Sequence, residues 1–392
     1  MRLSMRDFRL DGLRGLLLVI MAGVHVPSPL SHWLQEPFGF TSAAEGFLFL
    51  GAVLAGRVYG AVYGESGFPA MARRVWARAK HVYGIHLLVV TIALFLAWRF
   101  AGSLPPLAEH FNDSLAHPLD SLVLVPLLLH QPPLFDILPL YVIFLCVTPW
   151  LLATARRHGW FKVLTVSAVI WLAAQLESRV VGDASAALHL RLGSFNVAAW
   201  QFLWVTGIAL GETLLRRRVV QRERHLALMG VASAIVLLGL LCRHGLWPQA
   251  WFPPTLYLWM DKWTLGPLRL LNFGAWVFVL MWWNPKLPAS LFSPLVLLGR
   301  NSLSVFAFHL PLVIAASIAI QLFPLSFASR LAIGLAVIAA LFPWAAWQEY
   351  NRRRATRPAA VPEPVLAESL APASGELAGM LAGGIESAAP QS

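Results

Sequence analysis

Cysteine is almost missing from this chain. Cys146 and Cys242 are the only two in 392 residues, and both sit inside apolar runs. That excludes a disulfide framework and a cysteine metal site. Charge is scarce as well. Charged residues make up 12% of the sequence, against roughly 25% in soluble globular domains. The rarer sign is negative: 19 Asp and Glu face 30 Lys and Arg, for a formal charge of +11. The basic residues are not gathered on one soluble module, which excludes nucleic acid as the partner. A P-loop, a dinucleotide fingerprint, a zinc motif and a Gly-x-Ser-x-Gly elbow are all missing in the right context. Neither a metal nor a bound cofactor is expected.

What fills the chain is apolar. Hydrophobic residues reach 58% and the mean hydropathy is +0.66. About 20 mainly apolar residues span a bilayer. Ten such stretches occur, at 12–31, 42–62, 80–100, 136–154, 160–176, 196–215, 226–243, 264–283, 299–321 and 328–348. The expected fold is all-α, a polytopic integral membrane bundle of about ten transmembrane helices embedded in lipid. The first stretch lacks a small-residue cleavage site and carries Arg14 and His25, so it reads as a retained helix. Residues 1–350 form the membrane domain. Residues 351–392 turn basic and then rich in Ala, Pro, Glu and Ser, the composition of a disordered cytoplasmic tail. With no soluble catalytic domain in view, any chemistry belongs to the bundle.

Orientation follows from the loops. One set of loops holds 22 of the 30 basic residues, which places both termini in the cytoplasm. Three outward segments are long enough to shape a site: Pro27–Thr41, Ala101–Phe135 and Glu177–Phe195. The second holds Glu109, His110, Asp113, His117, Asp120 and His130. It reads either as a solvated loop with turn prolines or as a lid or glycan-binding surface.

Chemistry is most legible in the first apolar stretch. Arg14 and His25 lie eleven residues apart. At about 100° per residue they return to within about 20° of one face, separated by about 16 Å of rise. Two ionisable residues on one face of a spanning helix point to a lined site. A neutral imidazole at His25 can take a proton from a hydroxyl; alternatively it bonds a carbonyl or headgroup at the helix end. Glu45 either closes a capping box with Ser42 or orients His25 from behind as a carboxylate. Asp136 either caps a helix or binds sugar hydroxyls on the outer face. The run Arg73, Arg74, Arg78 either holds the phosphates of a donor or only sets topology and meets anionic lipid.

These residues carry a resemblance. The Arg-x10-His element of Arg14 and His25 is similar to the hallmark of the membrane-bound acyltransferase-3-like superfamily. Within it the chain resembles the OpgC family, implicated in succinylation of osmoregulated periplasmic glucans. The matching stretches begin at Arg6, Phe38, Asp136, Phe195 and Leu298 and run in order through most of residues 6–350. The chain departs at Val24, where the family has a polar residue, and at Gly46, where a bulkier apolar one is usual. The resemblance implies a bacterial inner-membrane acyltransferase with acyl-CoA, succinyl-CoA in particular, as co-substrate. The donor would dock on Arg73, Arg74 and Arg78 from the cytoplasm and pass Arg14. A periplasmic glucan would arrive near Asp136, and His25, supported by Glu45, would deprotonate its hydroxyl. His309, before Pro311, either lines the same cavity or packs as a structural histidine. The competing classes are a transporter or flippase and a nonenzymatic partner in glucan assembly.

Overall fold

The computed structural model describes residues 8–180, 193–217, 226–246, 256–283 and 289–356. Among these residues the structure is helical, without a β-strand. The helices run in the order α1 (Phe8–His25), α2 (Pro29–Leu34), α3 (Ala43–Phe100), α4 (Pro105–His110), α5 (Asn112–Ala116), α6 (Pro118–Leu124), α7 (Ile137–His158) and α8 (Trp160–Val180). They continue with α9 (Val197–Arg217), α10 (Leu226–Arg243), α11 (Leu256–Trp259), α12 (Pro267–Trp283), α13 (Ala289–Arg300), α14 (Ser302–Leu322) and α15 (Phe327–Thr356). The chain divides into two compact units, Met1–Asn351 and Arg352–Ser392. Of the expected tail 351–392, residues 351–356 continue α15 and residues 357–392 lie outside the described residues, as do most of the outward segment 177–195 and residues 218–225 of the basic loops.

Every apolar stretch picked out in the sequence falls on a helix. Five helices among the described residues are long and apolar enough to cross a bilayer: α3, α7, α10, α14 and α15. In α1, Arg9, Asp11 and Arg14 crowd 18 residues, and α12 is only 17 residues long. One correction concerns 63–79, expected as a loop between two spans. It is helical. α3 runs through it with a single kink at Gly67 (φ 75°, ψ 179°), a left-handed backbone that glycine adopts without a Cβ clash. Pro69 follows at the start of the second arm, where its missing N–H has no intrahelical partner to lose.

Small residues let the helices approach closely. A Cβ on Gly15 of α1 would sit 1.9 Å from the Leu295 carbonyl oxygen of α13. Gly211 of α9 meets Val53 of α3 as tightly, at 2.0 Å. Such small-residue seams are how helices associate in lipid, where burial of apolar surface supplies no net drive. Leu18, Leu48, Ala52, Leu145, Leu152, Trp200, Trp204 and Phe306 fill the interior between them.

Candidate functional site

Two histidines meet where α1 ends. His25 Nδ1 lies 3.3 Å from His309 Nε2 of α14, with the rings stacked at 5.6 Å between centroids. His309 is buried and His25 half-buried. The hydrogen-bond chain fixes the tautomers. His309 Nδ1 bonds the Phe306 carbonyl oxygen, which can only accept, so that nitrogen carries the hydrogen. In the neutral ring His309 Nε2 is then an acceptor, and His25 Nδ1 must donate to it. The lone pair left over sits on His25 Nε2.

Arg14 lies on the same helix, deeper in the bundle. Its Nη2 donates to Ser302 Oγ at 2.5 Å, and its guanidinium stands 5.7 Å from the Phe47 ring centroid. Its Nε is buried without a hydrogen-bond partner. Arg14 opens on a small cavity, which Arg78, Tyr141, Ser302, Phe47 and Phe306 also line. Phe306 also packs edge-on against His309, centroids 4.8 Å apart. One aromatic ring thus stands between the arginine-lined cavity and the histidine pair.

The basic run divides. Arg78 reaches the cavity, whereas Arg73 and Arg74 are exposed on the same arm of α3. The helix stripe explains this: Arg78 and Val82 are four residues apart and share the buried face.

Glu45 is a correction. It does not meet His25. Its carboxylate closes the capping box with Ser42, accepting from the Ser42 N–H at 3.0 Å and from the Ser42 hydroxyl. It also pairs with Arg269 Nε of α12. Both residues are buried. Arg269 Nη1 pairs with Glu36 at 2.6 Å, and Glu36 pairs with Arg243 at 2.7 Å. Burial alone would raise the Glu36 pKa, but Arg269 and Arg243 outweigh it and hold the carboxyl below the ordinary glutamate range. Four charges therefore tie the segment after α2 to α10, α12 and α3. Sequence reasoning did not bring Arg269 to this network. Its signal was a lone guanidinium inside an apolar stretch, which calls for a carboxylate partner.

Asp136 accepts the Ser194 N–H at 3.1 Å and makes no side-chain cap on α7. A Cβ on Gly193 would press against it at 2.6 Å. Lys262 is held at the same turn, its Nζ 6.0 Å from the Phe195 ring centroid, next to the Ser194 that bonds Asp136. Gly46, the departure noted above, is also explained: a Cβ there would meet Leu17 of α1 at 2.9 Å.

No curated protein and no solved structure is similar enough to the chain to match it. A family model does match. The one described as OpgC protein aligns with residues 6–353, nearly all of the helical unit and both halves of the site. The chain belongs to the OpgC family, which points to a glucan-modifying acyltransferase in the membrane.

Proposed function

We propose that the chain transfers an acyl group, succinyl from succinyl-CoA, to a hydroxyl of a periplasmic glucan across the bacterial inner membrane. The observation that carries this reading is the hydrogen-bonded pair of His25 and His309, one phenyl ring from a cavity that holds Arg14 and Arg78. On this reading the cavity faces the cytoplasmic side, where the basic loops gather, and receives the thioester arm. Two guanidinium groups favour an anionic donor there.

At the other end, His25 Nε2 takes the proton of the acceptor hydroxyl. The alkoxide attacks the thioester carbonyl, the C–S bond breaks, and the departing sulfur takes the proton from His25. His309 does not touch the reacting atoms. It is a positioning residue: its Nε2 accepts from His25 Nδ1, keeps the reactive lone pair on Nε2, and stays bonded when His25 becomes cationic. Asp136, with Lys262 held at the same turn, supplies a carboxylate for the acceptor sugar.

Mass spectrometry of periplasmic glucans from cells with and without the protein tests the reading. Succinyl groups should vanish without the protein and stay absent with His25→Ala at matched membrane levels. Normal succinylation with His25→Ala would move the transporter or assembly-partner reading to first place.

A further inference from the structure

The segment between α3 and α7 contains a second constellation, apart from the histidine pair. Ser114 Oγ on α5 lies 3.0 Å from His130 Nε2. On the other side of that ring, His130 Nδ1 lies 3.7 Å from Asp113 Oδ2. Ser114 and His130 are buried, and the Asp113 side chain is 36% exposed. Hydroxyl, imidazole and carboxylate thus stand in the order in which a hydroxyl is activated by a base and the base is oriented by an acid.

Three further observations fit a reactive centre better than a staple. Gln131, next to His130, is buried, and neither atom of its side-chain amide has a hydrogen-bond partner in the protein. A buried amide left unpaired is costly, and a bound carbonyl oxygen would satisfy its N–H. Leu128 (φ 60°) and Leu134 (φ 73°) bracket this stretch in the left-handed region. Branched side chains there are strained, and such strain collects at functional sites. Ser114 lies in a run of short helices: α4, α5 and α6 have 6, 5 and 7 residues. Helices this short have little stability of their own and open readily.

We infer that Ser114, His130 and Asp113 form a second active centre that cleaves carboxylic esters through an acyl-serine intermediate. Ser114 Oγ attacks the ester carbonyl while its proton passes to His130 Nε2. The bond to the leaving alkoxide breaks, and that oxygen takes the proton from His130. Water then attacks the acyl-serine carbonyl, giving its proton to His130. The bond to Ser114 Oγ breaks and the proton returns to Ser114. The sum is ester plus water to acid plus alcohol. The substrate class is a carboxylic ester, which this centre would hydrolyse. The inference does not depend on acyl transfer at His25.

Full-length protein in detergent, treated with a fluorophosphonate probe and with p-nitrophenyl butyrate, tests it. Peptide mapping should find the probe on Ser114. Ser114→Ala should abolish labelling and lower ester hydrolysis on the order of 10⁶-fold. Asp113→Asn, at a partly exposed position, should lower both by less, with thermal stability unchanged. His25→Ala should leave both intact, which separates this centre from the transferase. Probe absent from Ser114 in folded protein would overturn the inference. So would hydrolysis that survives Ser114→Ala, or Asp113→Asn protein that loses stability but keeps its hydrolysis rate.

Discussion

The Glu45 carboxylate takes its charge partner from Arg269, 224 residues away in α12, and not from His25 on the neighbouring helix. Breaking a buried pair by removing one partner costs about 3–5 kcal/mol, because the other charge stays buried. Glu45→Gln and Arg269→Gln should therefore lower the unfolding temperature of detergent-solubilised protein. The rate per folded molecule should change little. A large fall in rate at unchanged stability would return Glu45 to the reaction.

The same network sets an acid limit. Glu36 is held below the ordinary glutamate range by Arg269 and Arg243, against the opposing effect of burial. A carboxylate with a depressed folded pKa contributes stability above its unfolded pKa, about 4.3. That contribution is lost as pH falls through the folded value. Melting curves should therefore drop steeply below about pH 4.3. Glu36→Gln should start lower and show a shallower acid dependence; an unchanged acid slope would rule the network out as its source.

Arg78 and its neighbours should separate in kinetics. Arg78 lines the cavity, while Arg73 and Arg74 are exposed. Arg78→Gln should raise the KM for acyl-CoA in reconstituted membranes and leave the glucan KM in place. The double change Arg73→Gln, Arg74→Gln should affect insertion or lipid binding more than the donor KM. Equal donor effects from both would make the run a surface platform and not a cavity wall.

How much of this was legible in the sequence depends on the range of each interaction. Arg14 and His25 share one helix, so their common stripe followed from helical spacing alone. Helix positions followed from apolar stretches, since those lengths are set locally. The stretch 63–79 lies between two apolar runs, and nothing local in it shows that the helix resumes after the kink at Gly67. α13 was missed as a separate element: it has 12 residues and carries Pro294. Its importance lies in its contact with Gly15 of α1, which is tertiary. Partner choice among buried charges is tertiary as well. Glu45 and His25 were near in topology, but only the fold brings Arg269 to Glu45 and His309 to His25.

The histidine pair gives the sharpest kinetic expectation. If His25 Nε2 is the base, His25→Ala should cost about 10²–10⁴-fold in transfer rate. His309 acts only through His25, so His309→Ala should cost less than that. Because the pair acts as one unit, the double variant should be no worse than His25→Ala alone. His309→Gln is the discriminating change. An amide oxygen at the place of Nε2 can still accept from His25 Nδ1, so Gln should recover part of what Ala loses. A histidine that merely packs would give the opposite pattern, with Ala and Gln both lowering stability and neither changing the rate per folded molecule. Acyl transfer measured at matched folded-protein levels, with the pH profile of each variant, decides between them.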